Sequence, residues 1–303
     1  MKISKLKELL KKFDSKIFYN EDLKKKNWFN IGGKAKIFFK VNELKDLIDF
    51  LKILQNREKI FIIGAGSNVL ITDDIYDGIV IKLGKNFNRL SLLNEDIIIS
   101  GTAVPDKKLA DFAADNNLSG FEFLSCIPGT VGGGIRMNAG CFGQEIQDVL
   151  ISIQAIDKIG NIITIPAEKI NFDYRNNDLP DNLIFLSASF KGKKKSAERI
   201  KEEMLKLKIR KDKNQPTKIK TSGSTFKNPI KQTNKKVWEL IKESVPLNTS
   251  FGDACISEKH SNFFVNKGNA KFTDMKKLID FVTISVLKKT GINLEKEIKV
   301  LDN

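Results

Sequence analysis

The segment IPGTVGGGIRMNAGCFG, residues 127 to 143, restricts the possible folds more than any other stretch of the chain. Six glycines lie there among apolar residues and the donor-rich run MNAG: Gly129, Gly132, Gly133, Gly134, Gly140 and Gly143. A glycine inside regular structure costs roughly 0.5 to 1 kcal/mol relative to alanine. So many glycines predict backbone that bends sharply or lies against something large. The segment lacks the GK[ST] ending of a Walker A loop, and a flat cofactor with a pyrophosphate would fit it.

A second glycine turn, GAGSNVL, follows the apolar run KIFII at 59 to 63. It offers Gly64 and Gly66 beside the donors Ser67 and Asn68. The third glycine of the dinucleotide fingerprint is missing, because Val69 stands in its place, and no clear acidic partner follows in a βαβ setting. Two interpretations stay open: backbone that approaches a phosphate, and a tight turn after a strand.

Several polar residues outside the glycine segments could carry chemistry. Arg175 is one of only six arginines, and its planar guanidinium can grip a carboxylate or phosphate with two prongs. Because His260 is the only histidine, a multi-histidine metal site is excluded, and acid–base chemistry falls to other side chains. The segment TSGSTFKNP, 221 to 229, sets four hydroxyls around Gly223. Judged from its own residues, this segment could be a polar turn or could supply a proton donor. Glu297, near the C-terminus, could be an ordinary surface carboxylate.

Composition narrows the class of protein. With 52 basic and 37 acidic residues the net charge is +15, which would suit nucleic acid, an anionic membrane or a phosphorylated ligand. The lysines are dispersed, however, and no apolar run approaches the ~20 residues that cross a bilayer. The three cysteines, Cys126, Cys141 and Cys255, share no C-x-x-C spacing, which favours structural thiols in a reducing compartment. We therefore expect a cytoplasmic protein with no metal site, no membrane insertion and no nucleic-acid partner.

Hydrophobic periodicity predicts an α+β chain. Strands are expected at AKIFFKV, KIFII, GIVIKL, EDIIIS, VLISIQAID, GNIITIP and LIFLSASF, and helices at 43 to 54 and from Asp106 to Asn117. A composition break at KGKKKSAERI marks a boundary, beyond which we expect helices after Ser196, at KKVWELIKES and after a cap at Thr273. The expected organisation is an N-terminal helix at 1–21, a larger domain at 22–190 and a smaller one at 191–303.

Seven motifs, taken in order, resemble those of the UDP-N-acetylenolpyruvoylglucosamine reductases, flavoenzymes of early peptidoglycan synthesis. They span nearly the whole chain: FNIGGKA, IIGAGSNVLITDD, GFEFLSCIPGTVGGGIRMNAG, YR, SGSTFKNP, ISEKHSNFFVN and GINLEKEI. The compact C-terminal region resembles the shorter, type II group. The resemblance implies an FAD-binding domain of the vanillyl-alcohol-oxidase (PCMH) type made of two α+β subdomains, followed by a smaller α/β substrate-binding domain.

The resemblance also implies roles for particular residues. The FAD would be lined by Gly64, Gly66, Ser67, Asn68, Gly129, Thr130, Gly132, Gly133 and Asn138. NADPH would reduce the flavin, which would pass hydride to C3 of the enolpyruvyl group of UDP-N-acetylglucosamine enolpyruvate. Arg175 and Glu297 would stabilise the enol-like intermediate, and Ser224 would protonate C2. Lys227 and Asn228 would hold the substrate. Separately from the resemblance, we expect the protein to be a monomer.

The sequence departs from the family pattern at three places that bear on the cofactor. Trp28 stands where a small hydroxyl residue is usual, Asn30 where a basic residue is common, and Gly134 where alanine is more frequent. These departures leave the cofactor contacts around Trp28 and Asn30 open.

The sequence leaves two alternative functions open. One is an FAD-dependent oxidase of the same fold, in which Cys126 or Cys141 could tether the flavin. The other is a basic nucleic-acid-binding protein, which only the +15 charge supports.

Overall fold

The computed structural model describes residues 8–217 and 219–303. Residues 8 and 9 are helical. The further α-helices in these ranges are α1 (Leu44–Leu54), α2 (Asp106–Asp115), α3 (Val131–Arg136), α4 (Ala197–Asn214), α5 (Val237–Ser244) and α6 (Phe272–Thr290). Its strands in the same ranges are β1 (Ile17–Asp22), β2 (Lys34–Val41), β3 (Ile60–Ile62), β4 (Val69–Ile71), β5 (Tyr76–Leu83), β6 (Leu90–Leu93), β7 (Ile97–Gly101), β8 (Leu118–Ser119), β9 (Gly140–Cys141), β10 (Gln144–Glu145), β11 (Leu150–Ile156), β12 (Ile162–Pro166), β13 (Phe172–Asp173), β14 (Asn176–Asn177), β15 (Ile184–Lys191), β16 (Lys193–Lys194), β17 (Ser250–Phe251), β18 (Ala254–Ile256), β19 (Phe264–Asn266) and β20 (Lys299–Leu301).

The chain forms two compact units, each built from several segments. The first contains the described residues 8–19 together with Ile37–Ala65 and Gly78–Arg210. The second contains Asn20–Lys36, Gly66–Asp77 and Lys211–Asn303. Two short segments from the N-terminal third of the sequence thus belong to the unit that holds the C-terminal third.

The first unit has two hydrophobic cores. One is built around a four-stranded sheet in the order β1-β2-β5-β3, on which α1 packs. Because the apolar residues of α1 recur at helical spacing, Leu47, Leu51 and Leu54 all lie on its buried face. Phe39 of β2 stacks on Phe50 of α1 with ring centroids 4.3 Å apart, which fixes the helix on the sheet.

The second core of this unit lies under a five-stranded sheet in the order β12-β11-β15-β7-β6. All four pairings in it are antiparallel. Helices α2 and α3 contribute buried side chains to this core, among them Leu109 and Ile135. The glycine-rich segment, which contains α3, is therefore part of this packed α+β core.

The second unit combines a three-stranded sheet, β17-β18-β19, with the parallel pair β20–β4. Its core includes Phe226, Leu240 and Phe264, and the long helix α6 buries six side chains. Segment 222–227 joins this core through isolated antiparallel bridges, Ser224 with Phe263 and Phe226 with Lys296.

Some expected elements differ from the structure. Of the helix expected at 1–21, residues 1–7 lie outside the described residues. Residues 8 and 9 are helical and Lys11–Lys16 form a 3-10 helix, but β1 occupies Ile17–Asp22. The cap expected at Thr273 is wrong, because α6 begins at Phe272, where the Lys271 N–H donates to the Asp274 carboxylate. The compact units change at 210/211, and the domain boundary expected near 191 stays a prediction. None of the described helices is both long enough and apolar enough to cross a membrane.

Candidate active site

Two of the predicted cofactor segments meet within the first unit. A Cβ built on Gly64 would lie 2.4 Å from the Thr130 hydroxyl oxygen. Only glycine lets the turn after β3 lie this close to the start of α3. Thr130 precedes α3 in extended conformation, and its carbonyl accepts the Gly134 N–H at 2.8 Å. Gly64 and Thr130, which are 66 residues apart in the sequence (130 minus 64), therefore belong to one surface.

The three glycines of α3 differ in how closely other atoms approach them. A Cβ on Gly132 would lie 3.1 Å from Thr102 Cβ, and one on Gly134 would lie 3.3 Å from Asp106 Oδ1. Gly133 is exposed, and its Cβ would meet only Thr130 Oγ1, at an ordinary 3.7 Å. Protein packing thus accounts for two of the three glycines, and nothing described in the protein requires the third.

Gly66, Ser67 and Asn68 belong to the second unit. Gly66 has a positive φ of 68°, and its Cβ would lie 2.2 Å from the Lys26 carbonyl oxygen. The Trp28 N–H donates to the Gly66 carbonyl at 3.0 Å. Asn68 donates its side-chain amide to the Glu297 carbonyl at 3.1 Å, and Ser67 is half-buried. The structure therefore gives Asn68 a partner in the protein that the sequence did not indicate.

Asn138 is completely buried, and its amide connects three parts of the first unit. It donates to Glu145 Oε2 at 2.7 Å and to the Asp173 carbonyl at 3.2 Å, while its oxygen accepts the Gln147 N–H. These bonds indicate that Asn138 shapes the loop beside the glycine segment. Gly129 accepts the N–H of Asp106 through its carbonyl at 3.2 Å, which joins that segment to α2.

Arg175 occupies the two-residue turn between β13 and β14. Its φ is +56°, a left-handed conformation that is unfavourable for a residue with a side chain. The guanidinium donates to the carbonyl oxygen of Gly140 and lies 3.3 Å from Glu145 Oε1, and it stands over the Tyr174 ring at 4.9 Å. Only 16% of the side chain is exposed. The loop at 138–145 therefore fixes the position of this cation.

Ser224 lies in a backbone segment that is bound on two sides in the second unit. On one side Thr225 N donates to the Asn262 carbonyl at 2.8 Å. On the other side Glu297 N donates to the Thr225 carbonyl, also at 2.8 Å. Ser224 is half-buried and follows Gly223, whose φ is +77°. Ser224 and Glu297 thus belong to adjoining backbone segments, although they are 73 residues apart in the sequence (297 minus 224).

The two predicted substrate residues follow in the same segment. Lys227 donates its backbone N–H to the Glu295 carbonyl, and its ammonium forms an ion pair with the Glu295 carboxylate. Asn228 accepts the Val237 N–H at 3.1 Å and so ties this segment to the start of α5. Ser224, Lys227, Asn228 and Glu297 all lie in the second unit, whereas Arg175 lies in the first.

Sequence reasoning missed residues that hold the candidates in place. Asn262 accepts the Phe226 N–H and donates to the Phe226 carbonyl, so its side chain imitates a strand partner beside Ser224. It lies inside the motif ISEKHSNFFVN, which marked the segment but not this side chain. Glu145, which contacts both Asn138 and Arg175, carried no recognisable signal.

Asp106 is a second residue that the sequence did not single out. It is fully buried at the start of α2, and neither of its carboxyl oxygens has a hydrogen-bond partner among the described residues. Burial raises the pKa of the Asp106 carboxyl to about 8, because the charged form would lose its hydration. At neutral pH a protonated acid therefore lies behind Gly134, the glycine that leaves room for it.

The residues fit a ligand that approaches the backbone closely. The turn at Gly64 and the start of α3 lie in contact, and Gly133 leaves an exposed backbone position that the protein does not fill. Glycine-rich backbone of this kind exposes N–H groups to phosphate. Among the described residues, no group of His, Cys, Asp and Glu side chains could hold a metal ion.

Comparisons with known proteins identify the family of the chain. A family described as "FAD binding domain" matches residues 35–166, and one described as "UDP-N-acetylenolpyruvoylglucosamine reductase, C-terminal domain" matches 215–301. The chain is 64% identical to the UDP-N-acetylenolpyruvoylglucosamine reductase of Pelagibacter ubique over 99% of its length and all of the relative. It is 44% identical to that of Rickettsia conorii over 93% of this chain and 95% of the relative.

A solved structure supports the same relationship. The reductase of Thermus caldophilus superimposes with a TM-score of 0.80 at 29% identity, covering 94% of this chain and 98% of the other. The predicted fold class is confirmed: an α+β chain with an FAD-binding domain of the PCMH type and a distinct C-terminal domain. The chain belongs to the UDP-N-acetylenolpyruvoylglucosamine reductase family of FAD-dependent oxidoreductases.

Proposed function

We propose that this protein reduces UDP-N-acetylglucosamine enolpyruvate to UDP-N-acetylmuramate, with NADPH as the electron source, in peptidoglycan synthesis. Family membership supports the overall reaction, and the match to an FAD-binding domain supports the cofactor. The proposed flavin domain is 22–190 and the proposed substrate domain 191–303. We expect the enzyme to act as a monomer in the cytoplasm.

One observation supports the assignment most strongly. The Glu297 N–H donates to the carbonyl of Thr225, the residue next to Ser224, at 2.8 Å. The two residues expected to handle a proton and a developing negative charge are therefore neighbours in the fold, although they are far apart in the sequence. Reduction of an enolpyruvyl ether needs both functions, because hydride addition at C3 leaves negative charge at C2.

Within this proposal the residues that would line the FAD are Gly64, Gly66, Ser67, Thr130, Gly132 and Gly133. Gly129 and Asn138 would shape the glycine-rich segment, and Asn68 would hold the segment that contains Glu297. The bound flavin supplies the hydride that C3 of the substrate receives.

The chain's own residues would do the remaining chemistry. Ser224 gives its hydroxyl proton to C2 and regains a proton from water, so that one hydride and one proton are added across the double bond. Arg175 grips the substrate carboxylate, into which the charge delocalises, and Glu297 stabilises the other side of the enol-like intermediate. Lys227 and Asn228 hold the nucleotide sugar.

The test separates the two halves of the reaction in Ser224→Ala. We expect NADPH to bleach the flavin of the variant at the wild-type rate, whereas reoxidation by the enolpyruvyl nucleotide nearly stops. Thr225→Val is the matched control, because the neighbouring Thr225 hydroxyl is buried and has no hydrogen-bond partner among the described residues. Unchanged reoxidation in Ser224→Ala would refute the proton-donor role. Absence of reoxidation in the wild type would refute the proposed function.

A further inference from the structure

Three rings in the second unit, Phe263, His260 and Trp238, form an aromatic row that begins beside Ser224. Ser224 is paired with Phe263 in an antiparallel bridge, and directly opposite residues of such a pair carry their side chains on the same face. The Phe263 ring packs against the His260 ring with centroids 4.8 Å apart. The His260 ring in turn contacts Trp238, at 6.5 Å between centroids. The row thus leads from the proposed proton donor to an indole.

The exposed end of the row differs from its buried start. Phe263 is only 6% exposed, whereas Trp238 is 41% exposed. Core packing therefore accounts for Phe263 but not for the open part of the indole. Trp238 is also held in place through its backbone, because Ser261 Oγ donates to the Trp238 carbonyl at 2.6 Å. A large aromatic surface is thus presented at a fixed position in the unit that contains Ser224.

His260 adds a directed polar group beside this surface. Its Nδ1 accepts the Asn262 N–H at 3.3 Å, so in the neutral ring the hydrogen lies on Nε2. Burial lowers the pKa of His260 below its ordinary value of 6.5, which keeps the ring neutral at pH 7. A neutral N–H donor next to an aromatic surface suits a ring that carries carbonyl oxygens, and uracil has two.

We propose that Trp238 stacks on the uracil ring of the substrate, with His260 beside the indole, while the enolpyruvyl end lies at Ser224. This inference rests on the proposed function, since it assigns the nucleotide end of the same substrate. The row runs for on the order of 15 Å, given roughly 5 Å between paired strand residues and the ring spacings above. An extended nucleotide sugar has a similar length. Trp238 would therefore determine which nucleotide places its sugar at the serine.

The first test measures binding of uridine diphosphate to the holoprotein by titration calorimetry. Stacking of a base on an aromatic side chain is worth about 1–3 kcal/mol, so Trp238→Ala should weaken binding by roughly 5-fold to 150-fold. Trp238→Phe should keep the affinity to within about 3-fold, because a ring face remains. Phe281→Ala is the matched control: Phe281 is 40% exposed in the same unit and lies outside the row. We expect it to bind like the wild type.

The second test uses flavin reduced by dithionite, so that NADPH takes no part. In Trp238→Ala the substrate concentration for half-maximal reoxidation should rise, while the rate at saturation changes little, because stacking binds the substrate and the transition state equally. Unchanged affinity for uridine diphosphate, or an equal loss in Trp238→Phe, would overturn the inference. A loss for NADPH alone would overturn it in favour of adenine. Wild-type flavin that is not reoxidised would refute the proposed function instead.

Discussion

Gly64 and Gly133 lack a side chain for different reasons, and alanine substitutions should separate them. In Gly64→Ala the new methyl would lie 2.4 Å from Thr130 Oγ1, so we expect a lower melting temperature together with loss of flavin. In Gly133→Ala the methyl meets no close protein atom, and α3 should gain roughly 0.5 to 1 kcal/mol. Its flavin affinity should nevertheless fall by about tenfold, the effect of ~1.4 kcal/mol.

The measurements are thermal unfolding and flavin content after gel filtration. The two variants serve as controls for each other, because they change neighbouring glycines in the same way. Normal flavin binding by Gly133→Ala would show that the cofactor does not approach the exposed backbone of α3.

Asp106 should make stability depend on pH in an unusual direction. Its pKa rises from 3.8 in the unfolded chain to about 8 in the fold, so between these values the folded state keeps a proton that the unfolded state has released. The free energy of unfolding should therefore fall by about 1.4 kcal/mol per pH unit from pH 5 to pH 8 and level off above pH 8. Asp106→Asn has the same shape without the titration, and its profile should be flatter.

Urea denaturation at several pH values checks this. Asp111→Asn on the same helix is the matched control, since Asp111 is partly exposed and paired with Lys107. The same slope in the wild type and in Asp106→Asn would mean that other groups cause the dependence.

Arg175 should not be replaceable by lysine. Arg175→Lys keeps the positive charge but loses the planar pair of donors, so we expect substrate-driven reoxidation of the flavin to slow by on the order of 100-fold, about 2.7 kcal/mol of transition-state stabilisation. Rapid-mixing kinetics with dithionite-reduced enzyme would measure the rate of flavin reoxidation. The flavin content of the variant would confirm an intact fold. Near-normal reoxidation would mean that charge alone is enough.

At the scale of elements, the pair β4–β20 supports the segment of Glu297. Asn68 donates to the Glu297 carbonyl, and the Lys299 N–H donates to the Asn68 carbonyl. Asn68→Ala removes only the first of these bonds, so we expect the free energy of unfolding to fall by about 1 kcal/mol while flavin content is kept. Denaturant titration and flavin absorbance measure the two effects. Flavin loss at unchanged stability would instead assign Asn68 to the cofactor, and Ser67→Ala is the neighbouring control.

The longer elements could be predicted from the sequence because their apolar spacing is set by burial. Four or more buried positions in each element produce the apolar pattern from which it can be predicted. This holds for the strands β2, β5, β11 and β15 and for the helix α1. Two-residue strands such as β13 and β14 are too short to show an apolar pattern, because their pairing depends on a turn and on distant contacts. The cap of α6 was misplaced because Asp274, and not Thr273, accepts the free N–H.

The candidate site was predictable only where several motifs occur in family order. Ser224 was one of four hydroxyls in its segment, and spacing alone did not distinguish it. The hydrogen bonds between Asn262 and Phe226 and the contact between Gly64 and Thr130 depend on how distant segments fold together. Side chains that act through such contacts leave no periodic signal in one sequence.

At the scale of the whole molecule, the flavin should be held without a covalent bond. Cys126 is buried, and the Cys141 thiol donates to the Phe123 carbonyl at 3.3 Å. Acid precipitation of the purified holoprotein should therefore leave the yellow flavin in the supernatant. Flavin in the pellet would favour the oxidase alternative, and Cys126→Ala and Cys141→Ala would then identify the tether.

The left-handed turn at Arg175 has a consequence for directed evolution. Asparagine or glycine adopts a φ of +56° more easily than arginine, so Arg175→Asn should relieve about 1 kcal/mol of backbone strain. A library screened only for heat resistance would enrich such replacements and discard the guanidinium. Continued selection for cell-wall synthesis would keep arginine in spite of its strain, so the residue found at this position would record which of the two pressures the population experienced.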